Sequence, residues 1–152
     1  MIKTQAKQNE SILSLYFKDI GNVPLLTKEQ EINFAKRISA GDCVARDLMI
    51  KSNLRLVVTI ARQYENMGLP LMDLISEGNI GLMIAVDKFD PIKHENRFSS
   101  YAAFPIKQKI RKALLDKSRI IRLPAFIGQQ MTQIYKAKDK LEIKLGRTAM
   151  AE

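Results

Sequence analysis

The sequence predicts an all-α protein, a compact bundle of about five to six helices. Three observations point there. Apolar residues recur at helical spacing along nearly the whole chain, and no alternating strand pattern of convincing length appears. Cap and stop signals punctuate that pattern at helix-length intervals. The 152 residues are enough to bury roughly two thirds of the unfolded surface in one core.

Taken in order, Thr27-Lys28-Glu29-Gln30 forms a capping box that opens a helix ending before Gly41. Asp42 caps a long helix running to about Tyr64. "NMGLP" at 66–70 is a turn, and Leu71 to Phe89 form the next helix, closed by Asp90-Pro91. After a polar loop, Ser99 or Ser100 can cap a further helix, which "RLP" at 122–124 ends. Pro105 would cost about 3 kcal/mol or a kink deep in a straight helix, and is tolerable if the helix effectively starts there with Pro105 in its first turn. A last helix runs from about Ala125 to Leu145 and stops at Gly146.

Charge is segregated along the chain. Residues 1–92 hold 11 Lys/Arg against 11 Asp/Glu, whereas residues 93–147 hold 14 against 4. A field this one-sided attracts polyanions, with nucleic acid or an anionic membrane surface as the candidates. The longest nearly apolar run, Ile80 to Val86, is far too short to span a bilayer, and the N-terminus lacks an apolar signal core, so a cytoplasmic, membrane-free protein is expected. Cys43 is the only cysteine, so no internal disulfide forms. One His, one Cys, no glycine-rich phosphate loop and no paired carboxylates leave no catalytic or metal-ligating constellation; the expectation is a non-enzyme without metal or cofactor.

Two helices carry informative faces. Leu71, Leu74, Ile75, Gly78, Leu82, Ala85, Val86 and Phe89 form one apolar stripe, suited to a core. Opposite lie Asp73, Ser76, Glu77, Ile80, Met83, Ile84 and Asp87, a mixed apolar and acidic face that either another helix or a partner protein covers. In the helix that follows, Ile106, Ile110, Ala113 and Leu114 share the inward stripe, with Gln108, Arg111, Lys112, Leu115 and Arg119 opposite. Tyr101 and Phe104 are expected on that outward face beside the cations. Rings next to Lys and Arg suit unstacked bases, since each ring stacks on a base for about 1–3 kcal/mol while the cations neutralise phosphates.

With these residues in view, the chain resembles the sigma-70-type bacterial sigma factors. The resemblance runs through "SLYFKDIGNVPLLTKEQEINFAKRI" (14–38), "NLRLVVTIARQY" (53–64), "LMDLISEGNIGLMIAVDKFDP" (71–91), "RFSSYAAFPIKQKIRKAL" (97–114) and "SRIIRLPAFIGQQ" (118–130). It implies a domain-2-like helical bundle over residues 1–122 and, over 123–152, a linker helix like the start of domain 3. It also implies that Asp73, Glu77, Asn79 and Met83, with Ser76 and Ile80 on the same face, meet a coiled coil of the largest-subunit clamp of core RNA polymerase. Tyr101 and Phe104 match positions that hold an adenine flipped out of the non-template strand of the promoter minus-ten element. Gln108 and Arg111 match contacts to the upstream base pair of that element. Asn53 and Leu56 match part of a second base pocket. Arg119 and Arg122 match backbone-contacting positions, and Arg97, Lys107 and Lys112 extend the basic DNA face. An anti-sigma factor is a further candidate partner.

Four departures bear on this. Phe104-Pro105 stands where the family commonly carries two tryptophans. His94 lies in a loop one residue longer than usual, near a common glycine. Phe126 and Gln129 replace a histidine and a glutamate, so reading of an extended minus-ten motif is not expected. The sequence ends without a helix-turn-helix for the minus-thirty-five element, as a fragment or a shortened factor would. A competing reading follows from the first and last: a sigma-like protein that occupies the clamp and blocks a competent factor without melting DNA.

Overall fold

The computed structural model describes residues 13–91, 96–118 and 124–147, the side chains at 125, 128, 129 and 132 excepted. Among them the regular structure is helical throughout. The expectations for Arg119, Arg122, His94 and the side chain of Gln129 lie outside the described residues. Helix α1 is helical over 13–21. It is followed by α2 (Lys28–Ser39), α3 (Cys43–Arg62), α4 (Leu71–Lys88), α5 (Phe98–Lys117) and α6 (Ala125–Leu145). None of the described helices is long and apolar enough to cross a membrane.

The caps explain the early boundaries. The Thr27 N–H donates to Gln30 Oε1 at 2.9 Å and the Gln30 N–H to Thr27 Oγ1 at 3.4 Å, closing the capping box of α2. Asp42 accepts from the N–H groups of Val44 and Ala45 at the start of α3 and pairs with Arg37 at the end of α2. Its carboxyl is held below the usual range by the Ala45 N–H first and the Arg37 side chain second. Asn66 and Gly68 both take positive φ, as the turn at 66–70 requires.

The core is the meeting of α3, α4 and α5, with α2 laid on α3. Met49, Val57, Leu74, Leu82, Val86, Phe98, Ile106 and Ile110 are its largest fully buried side chains. Each is stabilising by about 1.5–3 kcal/mol relative to exposure. The apolar stripe read from α4 is therefore the core face, and only Leu71 of the stripe remains half-buried. Gly78 and Gly81 sit where α4 crosses its neighbours. A Cβ at Gly81 would lie 2.8 Å from Ile106 Cα and from the Pro105 carbonyl oxygen, so α5 presses its backbone onto α4 there.

Three boundary expectations fail in the same helix. α5 starts at Phe98 with Arg97 at its N-cap, so Ser99 and Ser100 fall inside the first turn and neither caps it. The cap comes instead from another element: Glu31 of α2 accepts the Phe98 N–H at 3.1 Å. This earlier start leaves Pro105 inside the helix, beyond its first turn. At its other end α5 stops at Lys117, short of the expected 122–124, where a Cβ on Gly68 would meet Ser118 Cβ at 2.9 Å. Helix α6 matches its expected span, with Gly146 at φ 63° donating to the Glu142 carbonyl at 2.9 Å.

Candidate protein-docking and nucleic-acid faces

The outward face of α4 is largely uncovered by the chain's own described residues. Asp73 and Ser76 are exposed, Ile80 and Met83 are 45% and 40% exposed, and Ile84 is half-buried. Large aliphatic side chains on a solvent face, interleaved with acids, are the pattern of a surface that another protein covers. Asn79 is half-buried, and its Oδ1 is enclosed without a hydrogen-bond partner among the described residues. Glu77 departs from the expected open face. Lys117 of α5 donates to its carboxylate, and the Glu77 side chain is only 19% exposed. That contact raises the Lys117 ammonium above its ordinary value, through the Glu77 hydrogen bond and then its charge. Asp87 is likewise engaged, by Arg46 of α3 at 2.6 Å and 3.0 Å.

The face of α5 has the opposite chemistry. Phe104 is 69% exposed, and Gln108, Arg111 and Lys112 are exposed one and two turns further on, with Lys107 half-buried beside them. The Arg111 Nε donates to the Lys107 carbonyl at 3.3 Å, holding its stem along the helix. Tyr101 does not stand fully outward as expected. It is half-buried, its ring 5.5 Å from that of Phe89, and its hydroxyl donates to the Lys88 carbonyl at 3.5 Å, the limit for such a bond. Phe89 packs edge-on against Phe98 at 5.1 Å and 77°, so three rings run from the start of α5 to the end of α4. This placement follows from the early start of α5, which sets Tyr101 one turn into the helix, alongside the C-cap of α4.

Two clefts flank these residues. One, of about 400 Å³, is lined by Ile84, Lys88, Ser100, Tyr101, Phe104, Pro105 and Gln108. The other, of about 320 Å³, lies between the chain before α2, helix α3 and the start of α5, and brings Asn53 and Leu56 together with Arg55, Thr59 and Ser99. The Asn53 amide donates to the Met49 carbonyl at 2.8 Å, fixing its rotamer. Each cleft falls within the roughly 300–1,000 Å³ of small-ligand pockets, and both mix apolar walls with a few polar groups. Together they could take unpaired bases, with the α5 cations on the connecting phosphates.

Arg97 sits differently from a free phosphate ligand. Its guanidinium reaches both oxygens of Glu31 at 2.9–3.2 Å and the Leu26 carbonyl at 3.1 Å. Sequence reasoning missed Glu31 itself, which is 5% exposed. The signal was present: Glu31 is an acid in the inward stripe of α2, one turn before the buried Ala35. Gly81 and Lys117 were also missed, because both act across an α4–α5 crossing whose register the sequence does not display.

Models of sigma-70 region 1.2 and sigma-70 region 2 match residues 11–42 and 49–120, together more than half of the chain. The chain is 41% identical over 150 residues to RNA polymerase sigma factor RpoS of Coxiella burnetii, covering 99% of this chain and 42% of that relative. It is 44% identical over 138 residues to RNA polymerase sigma factor SigA of Clostridium acetobutylicum, covering 91% of this chain and 36% of the relative. SigA of Listeria monocytogenes is equally similar, with 37% of its length covered. The chain thus spans about two fifths of the length of these curated relatives.

Proposed function

The chain belongs to the sigma-70 family of RNA polymerase sigma factors, and from that membership and the two faces of α4 and α5 we propose that it acts in transcription initiation. In this reading α4 docks on the clamp coiled coil of core RNA polymerase, and α5 captures the non-template strand of an opened minus-ten element. The observation that carries it is the separation of the faces: Asp73, Ile80 and Met83 stand exposed on α4, while Phe104, Gln108, Arg111 and Lys112 stand exposed on α5. A basic, partly apolar partner helix would cover the first. Single-stranded DNA suits the second, because Tyr101 and Phe104 offer ring faces to bases and the cations offer neutralisation to phosphates. Neither role calls for a bound metal or cofactor.

The test is reconstitution with core polymerase on a fork-junction template whose minus-ten non-template bases are unpaired, scored for binding and for strand opening. A ternary complex that prefers the fork to the fully paired duplex is the expected result. Failure to bind polymerase, or equal affinity for fork and duplex, would overturn the reading. Binding without strand opening would support a blocking role instead.

A further inference from the structure

The outward face of α4 carries the acids Asp73, Glu77 and Asp87, and cations of the same chain already meet two of them. Arg46 of α3 grips both oxygens of Asp87 at 2.6 Å and 3.0 Å, and Lys117 of α5 donates to Glu77 Oε1. The two pairs differ in place. Asp87 stands at the last turn of α4, at the edge of the face. Glu77 lies one turn after the exposed Asp73 and one turn before the exposed Ile80, where a docked helix would have to cross.

Lys117 is delivered there by the way α5 ends. It is the last residue of that helix, and the next N–H, that of Ser118, donates to the Leu114 carbonyl at 3.2 Å. Ser118 Cβ in turn occupies the space that a side chain on Gly68 would need, at 2.9 Å. The end of α5 thus rests on the turn that leads into α4, within a lysine's reach of Glu77. The hold is one-sided. The Glu77 side chain is only 19% exposed, whereas that of Lys117 is 62% exposed. Glu77 first, and then Asp73 and Asp116 by their charges, keep the ammonium protonated and in place. Because most of its stem lies in water, Lys117 can leave at little cost to the fold.

Resting on the docking reading above, we propose that Lys117 is an intramolecular competitor for the docking face: it occupies Glu77 in the free chain, yields it to a cation of the arriving polymerase helix, and so lowers the affinity of docking. The contact is a restraint built into the fold, and it belongs to neither binding face.

Three origins of an effect at Lys117 have different signatures. Competition acts only through Glu77, a general field acts with or without it, and a structural staple supports docking. Affinities for core polymerase are measured with the whole chain as wild type, Lys117→Met, Glu77→Gln and the double variant, each followed by thermal unfolding. Lys117→Met keeps a long helix-compatible stem and loses the ammonium. It should tighten polymerase binding severalfold, up to about tenfold. Glu77→Gln should weaken binding, and most of the gain from Lys117→Met should disappear in that background. Lys117→Arg keeps the charge and can hold Glu77 with two N–H groups, so it should bind polymerase as the wild type does or more weakly. Should Glu77→Gln fail to fold, Lys117→Met against Lys117→Arg carries the test. An equal or larger gain from Lys117→Met in the Glu77→Gln chain assigns the effect to charge alone and overturns the competition. Weaker docking by Lys117→Met, in step with a lowered melting temperature, overturns it in favour of a staple. Unchanged affinity from Lys117→Met or from Glu77→Gln overturns the proposal and leaves the docking reading standing. A wild-type chain that does not bind polymerase overturns both.

Discussion

Gly81 is the residue at which the fold leaves no room. Its missing side chain lets the Pro105 carbonyl and Ile106 Cα approach to where a Cβ would stand 2.8 Å away, a distance that backbone atoms cannot relieve by rotating. Alanine is the better helix former by about 1 kcal/mol. Forced overpacking costs about 1–3 kcal/mol, and more when backbone must move. The crowding should win: Gly81→Ala should lower the melting temperature by several degrees. Gly21, with nothing within 4 Å of its built Cβ, is the control, and Gly21→Ala should leave melting unchanged or raise it. Equal shifts from the two, followed by thermal unfolding, would mean that α5 is not pressed onto α4. Single residues were unevenly legible in the sequence. The exposure of Phe104, Gln108 and Lys112 follows from helical spacing alone. Gly81 and Lys117 were invisible because each matters only through an atom distant in sequence, at Ile106 and Glu77, whereas Glu31 left a trace as an acid in the inward stripe of α2.

At the scale of the element, α5 shows what periodicity does and does not reveal. Its inward stripe of Ile106, Ile110 and Ala113 is buried as read. Its start was misread because the sequence offers two serines with good local capping chemistry, while the fold supplies a carboxylate from α2. Pro105, tolerable in a first turn, consequently stands in the interior, where it has no N–H to offer the carbonyl of residue 101. The same helix carries the basic face, so the contribution proposed for it in DNA binding is measurable as counterion release. Lys112→Ala should weaken oligonucleotide binding and make the plot of log affinity against log salt shallower by about one unit. An unchanged slope would place Lys112 away from phosphate. By contrast Lys117, one turn and a half further along, is committed to Glu77, so its removal should leave that slope alone.

The whole molecule is organised by its charge map. Among the described residues, the cations of the basic segment 93–147 lie largely on the outer side of α5 and on α6, whose side chains from Gln133 to Leu141 are exposed. The balanced first part supplies most of the core, which Phe98, Ile106 and Ile110 of α5 complete, and the acidic, aliphatic face of α4. This division was legible from sequence because charge segregation and amphipathic stripes are local properties. The close approach of α5 to α4 was not, since it depends on Gly81, whose consequence exists only against Pro105 and Ile106 of the other helix. One link joins the faces. Lys117 of α5 holds Glu77 of α4, which makes Asp73, exposed and with no Lys117 hydrogen bond among the described residues, the cleaner probe of the proposed docking.

The account stands or falls on two neighbouring helices serving two different partners, and a crossed pair of substitutions measures that most directly. Affinities of Asp73→Lys and Tyr101→Ala are determined separately for core polymerase and for a single-stranded minus-ten oligonucleotide. Asp73→Lys should lose polymerase affinity and keep that for the oligonucleotide, and Tyr101→Ala should do the reverse, by about 1–3 kcal/mol for one lost stacking ring. If either substitution lowers both affinities alike, the two faces are not separate and the account is contradicted.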